Sequence, residues 1–400
     1  MRLGLLIVGF FILITVEILR VYFIMPFPGS QKDETINVAY FLHNNIIYFR
    51  LTGLVLMAYP FAYFFNRGSQ VIKVTLAVVF GFYVVVFYMF NYRYLADQMF
   101  LQPKNRIFLD ASQSKVLGKQ LIVGVAIGNE SKAYPIEVIG YHHQVRDEVG
   151  GVPIMVTYCT VCRTGRVFSP TVEGKPESFR LVGMDHFNAM FEDASTKSWW
   201  RQVNGEAIVG PLKGKLLNEI PSEQMALSEW ISLHPSTKVL QPDTTFSEAY
   251  DGLKGYGAGK KKGTLERKDS LSWERKSWIV GIQVGMEARA YDWIELQKLR
   301  VINDVVAGVP LMIVANPDSM SFRSFNRIVD NDTLLFSLNE NATNLIDIKT
   351  NSLWNWNGQC VEGTLQGKSL KSGQSYQEYW HSWQTFHPQT TKYILPPSKF

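Results

Sequence analysis

Residues 123–170 read VGVAIGNESKAYPIEVIGYHHQVRDEVGGVPIMVTYCTVCRTGRVFSP, and much of this pattern returns at residues 280–327, an offset of 157 positions. The segment VGVAIG at 123–128, for example, corresponds to VGIQVG at 280–285. A match sustained over this length indicates an internal duplication rather than chance similarity. We therefore predict two pseudo-repeated units in this part of the chain.

The first unit carries three chemically reactive side chains that the second unit lacks. The first unit has His142, Cys159 and Cys162 where the second has Leu299, Asn316 and Ser319. Two thiols separated by two residues, with a histidine nearby, are typical of metal binding or of thiol chemistry. The loss of all three side chains together favours a shared role in the first unit. Independent drift at three unrelated positions would give the same comparison without any site.

The first interpretation is a transition-metal site formed by His142, Cys159 and Cys162. Zinc accepts this set of ligands, and Cu(I) is the competing ion because sulfur is a soft ligand. His186 is the predicted fourth ligand, since it also has no histidine counterpart in the second unit. If the ion were catalytic zinc, a general base would act on the metal-bound water, and His143 is predicted for that role.

The second interpretation is thiol–disulfide redox chemistry at Cys159 and Cys162, with Arg163 and Arg166 positioned to stabilise a thiolate. The sequence from Thr164 onward predicts a return strand, whereas thioredoxin-like sites have a helix there. The third interpretation is a non-catalytic binding or scaffold module in which the two cysteines form a structural staple. The residues alone leave these three interpretations, and with them enzymatic activity, open.

Comparison of the units also identifies residues that are assigned structural roles. Asp147 is retained as Asp304, which indicates the same architectural function in both units. Cys360 replaces Ala207 of the first unit and is predicted to be a small packing residue.

Hydrophobic residues make up 46% of the chain and are concentrated in its first quarter. Residues 3–24, 46–65 and 71–90 are apolar stretches long enough to cross a bilayer core of about 30 Å. Glu17 and Arg20 stand on one face of the first stretch, so we expect them to pair with each other or to face a neighbouring helix. No small-residue cleavage site follows the first stretch, and we therefore expect an uncleaved anchor.

The charges of the short loops predict the orientation in the membrane. Arg67 and Lys73 flank the second connection, which places that loop in the cytoplasm by the positive-inside rule. The amino terminus is then inside, and the region after about residue 91 lies outside the bacterial inner membrane, in the periplasm. The lipid bilayer is the predicted partner. The formal charge of +5 is dispersed and no nucleic-acid-binding motif is present, so nucleic acid is not expected, and no motif identifies a substrate or a protein partner.

The predicted fold class is a set of N-terminal transmembrane helices followed by a mainly-β (α+β) extracytoplasmic region of two pseudo-repeated units. The predicted domains are a membrane domain at 1–95, the first repeat unit with the Cys-x-x-Cys at 104–245, a Gly-rich linker at 246–278 and the second, degenerate unit at 279–400. Apolar and β-branched content predicts strands at 121–127, 151–158 and 166–168, and the residues 222–233 are typical of a helix.

The segment YCTVCRTGRVF at residues 158–168 resembles an uncharacterised bacterial family known as domain of unknown function 3179. The resemblance covers residues 107–393 and includes Ala133-Tyr-Pro and His142 upstream of the cysteines. His143 stands where the family usually has an acidic residue after its histidine, so either imidazole is a candidate for the operative one. The resemblance implies membership of a family but does not imply a reaction, a substrate or a cofactor.

Overall fold

The computed structural model describes residues 1–31, 34–260 and 271–395, so that part of the predicted linker, 261–270, lies outside the described residues. The chain divides into two compact units, each built from two separate stretches of sequence. The helical unit comprises residues 1–101 and 172–216, and the sheet unit comprises residues 102–171 and 217–400. These units are defined by internal contacts, so the predicted repeat boundaries stay predictions.

In the described parts of the chain, the helices fall into three long apolar ones at the N-terminus and six short ones. They are α1 Arg2–Tyr22, α2 Ile36–Arg67, α3 Gln70–Tyr88 (followed by a π-helical turn, Met89–Arg93), α4 Ala96–Met99, α5 Ile136–His142, α6 Leu227–Leu233, α7 Ser247–Asp251, α8 Trp293–Leu299 and α9 Trp380–Phe386.

The strands are short and begin after the long helices. They are β1 Phe108–Asp110, β2 Leu121–Ile127, β3 Glu130–Pro135, β4 Gln144–Val149, β5 Val152–Cys159, β6 Thr164–Phe168, β7 Thr171–Val172, β8 Lys175–Pro176, β9 Phe179–Asp185, β10 Asn188–Asp193, β11 Trp199–Arg201, β12 Ala207–Val209, β13 Glu223–Ala226, β14 Lys238–Leu240, β15 Trp278–Val284, β16 Glu287–Asp292, β17 Val301–Val306, β18 Val309–Ala315, β19 Phe322–Asn326, β20 Ile328–Val329, β21 Asp332–Thr333, β22 Phe336–Leu338, β23 Leu345–Asp347, β24 Leu353–Trp354, β25 Cys360–Glu362, β26 Lys371–Gly373, β27 Tyr376–Tyr379 and β28 Thr391–Lys392.

Within the described residues, three helices are long and apolar enough to cross a membrane: α1, α2 and the segment that begins with α3 and ends at Arg93. Small residues let α1 and α2 approach closely. A Cβ atom built on Gly9 would lie 2.7 Å from the carbonyl oxygen of Gly53, and one built on Gly53 would lie 2.7 Å from Leu13 Cγ. Such small-residue contacts are typical of helix packing in membranes.

The charged residues of the first span pair both with each other and with neighbouring helices, as the sequence allowed. Glu17 is fully buried and receives a bidentate contact from Arg50 of α2, with an Nε–Oε1 distance of 2.6 Å. Arg20 lies 3.9 Å from the Glu17 carboxylate and donates to Asn91 Oδ1 at 2.6 Å. Because buried charges are costly unless paired, this network lets polar side chains remain among apolar helices.

Helix α2 begins ten residues before the predicted span, at Ile36 rather than at residue 46. The additional turns carry side chains that contact the small sheet of the same unit, whose strand order is β12-β11-β10-β9. Tyr40 and His43 both pack edge-on against the ring of Trp199, with centroid distances of 5.1 and 5.4 Å. Packing therefore extends this helix beyond the apolar stretch that the sequence identified.

The sheet unit contains several small sheets rather than one continuous sheet. One has the order β1-β14-β3-β2-β13 and another has the order β27-β15-β16-β28, and in both the central pair is an antiparallel hairpin. Two further sheets have the orders β4-β5-β6 and β17-β18-β19-β26. The order of helices and strands from β2 to β6 is the same as the order from β15 to β19.

Three local features differ from the sequence-based expectations. Residues 223–226 of the predicted helix form strand β13, because all four of them pair with β2. The helix begins only at Leu227. Helix α5 was not predicted; it follows Pro135 and buries Ile136 and Ile139 on one face. The predicted solvated linker includes Tyr256, which is 1% exposed and packs in the core of the sheet unit.

A tight contact in the sheet unit gives a test of this packing. A Cβ atom on Gly281 of β15 would lie 2.3 Å from the ring of Trp383, a fully buried side chain that cannot move aside. We expect Gly281→Ala to lower the free energy of unfolding by about 1–3 kcal/mol, the usual cost of overpacking a core. Thermal unfolding would measure the effect, with Gly118→Ala as the control because its nearest contact, Ser228 Cβ, lies at 3.4 Å. Equal unfolding temperatures for the two variants would contradict the prediction.

Candidate functional site

The two cysteines lie at the tip of the β5–β6 hairpin. Cys159 is the last residue of β5, where it pairs with Thr164 of β6, and Cys162 lies in the turn between these strands. Arg163 completes the turn with a φ of 60°, a left-handed conformation that reverses the chain into β6. Both cysteine side chains are 0% exposed, so the hairpin tip is enclosed by other parts of the sheet unit.

The side chains of Cys159 and Cys162 are hydrogen-bonded to each other, and both residues are present as thiols. Burial raises the pKa of the Cys162 thiol well above its usual range, and the hydrogen bond to Cys159 adds to this effect. Cys162 therefore keeps its proton at neutral pH.

The enclosing residues come from the C-terminal end of the chain. The Tyr379 N–H of β27 donates to the Cys162 carbonyl oxygen at 2.8 Å, and the Ser382 side chain of α9 is hydrogen-bonded to the Cys162 side chain. The carbonyl oxygen of Val161 accepts a hydrogen bond from Lys276 Nζ at 2.9 Å. The cysteine turn and the β27–α9 segment thus form one buried site.

A buried carboxyl group lies beside this site. Glu378 of β27 is 0% exposed and accepts a hydrogen bond from Ser382 Oγ at 2.6 Å. Burial raises the pKa of Glu378 to about 7, although Arg166 Nη2, at 3.4 Å from Oε2, and Ser382 both act in the opposite direction. Arg166 compensates only in part because it also faces Glu219, at 3.7 Å. The Glu378 carboxyl can therefore change its protonation state near neutral pH.

Arg163 fixes the cysteine turn to its surroundings through its guanidinium group. Its Nε donates to Gln377 Oε1 at 2.9 Å, and Nη1 and Nη2 donate to the carbonyl oxygens of Tyr256 and Gly257 at 3.3 and 2.7 Å. The guanidinium also lies 3.5 Å from the centre of the Trp278 ring. An arginine that is fully buried requires such partners, and here they hold the residue next to Cys162 in place.

The predicted ligand His142 and the predicted general base His143 each have a described hydrogen-bond partner. His142, at the end of α5, has its Nε2 at 2.6 Å from the Tyr250 hydroxyl and is 0% exposed. His143 has a φ of 59° and places Nδ1 at 2.9 Å from the Tyr158 carbonyl oxygen. Burial lowers the pKa of His143 to about 4, so this imidazole is neutral at pH 7. In the part of the chain that the structure describes, no group of three or more histidine, cysteine, aspartate or glutamate side chains is arranged to hold a metal ion.

His186, the predicted fourth ligand, belongs to the helical unit. Its Nδ1 lies 2.9 Å from Asp185 Oδ1, and its Nε2 lies 3.6 Å from Glu34 Oε1. The hydrogen bond to Asp185 raises the pKa of this imidazole. Its described contacts are those of a surface histidine paired with acidic neighbours.

Sequence reasoning identified the cysteines but missed Glu378 and Ser382. Both lie near the C-terminus, in the predicted degenerate repeat unit at 279–400. A local signal was present, because Glu378 follows Tyr376 and Gln377 in a strand whose residues from 377 to 379 are buried. A carboxylate in such a strand needs a partner, and that requirement could have directed attention to it.

Comparison with known proteins identifies a family whose description assigns no activity. The family model described as "Protein of unknown function (DUF3179)" matches residues 104–390. No curated protein and no solved structure matches the chain.

Proposed function

Because the chain belongs to the DUF3179 family, whose description assigns no activity, we propose from the geometry of the chain itself that Cys159 and Cys162 form a redox-active dithiol. The observation that carries this proposal is the direct hydrogen bond between the two thiols in a fully buried turn. Thiols held this close can be joined by a disulfide with little movement of the backbone.

The turn geometry supports disulfide formation. The two cysteines are separated by two residues in a tight turn, and turns of this kind hold their first and fourth Cα atoms within about 7 Å. Disulfides form at Cα separations of roughly 4.4–6.8 Å. The contacts of Arg163 and Tyr379 keep the turn in this conformation, so the thiols stay close together.

The complete burial of both sulfur atoms favours a small oxidant, and hydrogen peroxide is the one we propose. The Cys159 sulfur attacks one peroxide oxygen and the O–O bond breaks. The departing hydroxide takes the thiol proton of Cys159 and leaves as water, and Cys159 becomes a sulfenic acid. The Cys162 sulfur then attacks the Cys159 sulfur and displaces the hydroxyl, which leaves with the Cys162 proton as a second water. Ser382 and Glu378 provide a hydrogen-bonded path for that proton beside Cys162.

Counting thiols tests the proposal on the full chain purified in detergent. The chain has three cysteines, and we expect peroxide to reduce the number of maleimide-reactive thiols in the denatured protein from three to one. Dithiothreitol should restore all three. Cys360 serves as the internal control because it is buried in a different core cluster. Three reactive thiols after peroxide treatment, or an unchanged response in Cys159→Ser, would contradict the proposal.

A transition-metal site is the second candidate, because two adjacent sulfur atoms also suit a soft ion such as Cu(I), or zinc. The predicted ligands within the sheet unit remain His142, Cys159 and Cys162, with His143 as the predicted base. Elemental mass spectrometry of the purified protein tests this candidate. Stoichiometric zinc or copper that is absent from both Cys159→Ser and His142→Ala would favour the metal site over the dithiol. If the protein contains no metal and peroxide does not oxidise the two cysteines, the non-catalytic scaffold is the remaining interpretation.

We also propose that the three long helices anchor the protein in the bacterial inner membrane, with the sheet unit in the periplasm. The charges of Arg67 and Lys73 support this orientation. Residues 123–170 and 280–327 are proposed to be tandem copies, as the common order of their strands and helices supports. On this view the active dithiol of the first copy is completed by Glu378 and Ser382, which lie in the second repeat unit, 279–400.

A further inference from the structure

A cleft of about 430 Å³ opens in the sheet unit, and the dithiol chemistry does not use it. Its lining comes from two distant parts of the chain: Glu223 and His234 near the end of the first repeat region, and Arg323 and Ser372 from β19 and β26. Its volume lies in the range of small-molecule sites, about 300–1,000 Å³. The cleft is therefore large enough for a ligand of one to three rings.

The charges in the cleft wall cancel. Arg323 Nη2 lies 2.9 Å from Glu223 Oε1, and the same nitrogen donates to Ser372 Oγ at 3.1 Å. His234 adds no positive charge at neutral pH, because burial lowers the pKa of its imidazole. A wall without net charge offers no electrostatic preference for phosphate or carboxylate ligands.

The wall still has hydrogen-bonding capacity. Among the described residues, neither Glu223 Oε2 nor Arg323 Nε has a hydrogen-bond partner, although both atoms are buried. Hydroxyl and amide side chains extend the polar surface; they are Ser222, Asn357, Gln359, Ser369 and Gln374. Such a surface both donates and accepts hydrogen bonds, as a hydroxyl group does.

One side of the cleft is apolar. Leu233 of α6 lines it together with the imidazole of His234, whereas Trp230 is only 2% exposed because Gly124 of β2 packs against its indole. The imidazole of His234 lies against the same indole, with the ring centroids 4.1 Å apart. The cleft thus combines an apolar wall with a neutral polar wall.

We propose that this cleft binds a neutral polyhydroxylated ligand, a short saccharide. The C–H faces of a sugar ring match the wall formed by Leu233 and the His234 imidazole, and its hydroxyl groups match the donors and acceptors around Glu223 and Arg323. The ion pair between those two side chains orients a carboxylate and a guanidinium toward neighbouring hydroxyl groups of one ring. This inference is independent of the dithiol proposal.

Titration calorimetry and tryptophan fluorescence of the full chain in detergent test the proposal, with maltotriose, cellotriose and tri-N-acetylchitotriose as probes. We expect at least one trisaccharide to bind with a dissociation constant of about 1 mM or lower. Glu223→Gln should weaken that binding roughly tenfold, because it removes a hydrogen bond to a charged group. Ser372→Ala should weaken binding by a smaller factor while leaving the wall intact.

His387→Ala is the control for a substitution in the same kind of environment but outside the cleft. His387 packs on Trp383 at 3.8 Å, much as His234 packs on Trp230, but it does not line the cleft. This variant should bind the trisaccharide as the unmodified protein does. The proposal is overturned if none of the three probes binds at about 10 mM, or if Glu223→Gln and Ser372→Ala, each with an unchanged unfolding temperature, bind the probe with unchanged affinity.

Discussion

Replacing Glu378 with Gln should remove a decline in stability that the native protein shows as the pH rises toward about 7. An unfolded glutamate has a pKa of 4.5, whereas burial raises the pKa of Glu378 to about 7 in the folded protein. The folded state therefore keeps a proton that the unfolded state releases between these values, and the stabilisation is complete below pH 4.5. It is lost as the pH rises through about 7, and its size is about 3 kcal/mol.

The unfolding temperature measured from pH 5 to pH 8 checks this expectation. The difference between native protein and Glu378→Gln should change over that range, with the variant relatively more stable at the upper end. Glu219→Gln is the control, because Glu219 also faces Arg166 but its side chain is 31% exposed. Parallel pH profiles for native protein and Glu378→Gln would show that this carboxyl is not buried as described.

Replacing Arg163 with Met should destabilise the sheet unit by about 1–3 kcal/mol. The change leaves the buried Gly257 carbonyl oxygen without its described donor. It also removes one of two donors from Gln377 Oε1 and one of two from the Tyr256 carbonyl oxygen. Each buried acceptor left unpaired costs about 1–3 kcal/mol. Methionine is a suitable replacement because it fills much of the same space, and it stands at the corresponding position, Met320, of the second repeat region.

Chemical or thermal unfolding would measure the Arg163→Met effect, with Lys119→Met as the control because Lys119 is exposed. The reactivity of the cysteines gives a second readout. If Arg163 holds the turn closed, the native-state thiols of the variant should react with maleimide faster than those of the unmodified protein. A variant with unchanged stability and unchanged thiol reactivity would contradict this role for Arg163.

Local sequence patterns predicted the hairpins well and failed where long-range pairing decides the structure. Strand β2 was predicted with the bounds that the structure has, since a run of apolar and β-branched residues ends at a glycine turn. Residues 223–226 were assigned to a helix, yet they form β13 because β2 offers an unpaired edge. That edge comes from a segment about a hundred positions earlier, which no local window includes.

For the candidate site too, the sequence could not show which distant residues come together. The cysteines were identified because residues 123–170 resemble residues 280–327 in sequence, and the second stretch lacks them. The structural role of Asp147 stays a prediction, and Tyr134 donates to it at 2.7 Å just as Tyr291 donates to Asp304 at 2.8 Å. The sequence could not distinguish the surroundings of His142 and His143, because the helix ends between them and their imidazoles have different partners.

The position of β27 and α9 over the cysteine turn has a consequence for biosynthesis. A ribosome makes Cys159 and Cys162 more than two hundred residues before it makes Glu378 and Ser382. Until that last segment emerges and docks, the hairpin tip lacks its cover, and oxidants or carrier proteins too large for the finished site can reach the thiols. The redox state of the mature protein is thus open to control while the chain is being completed.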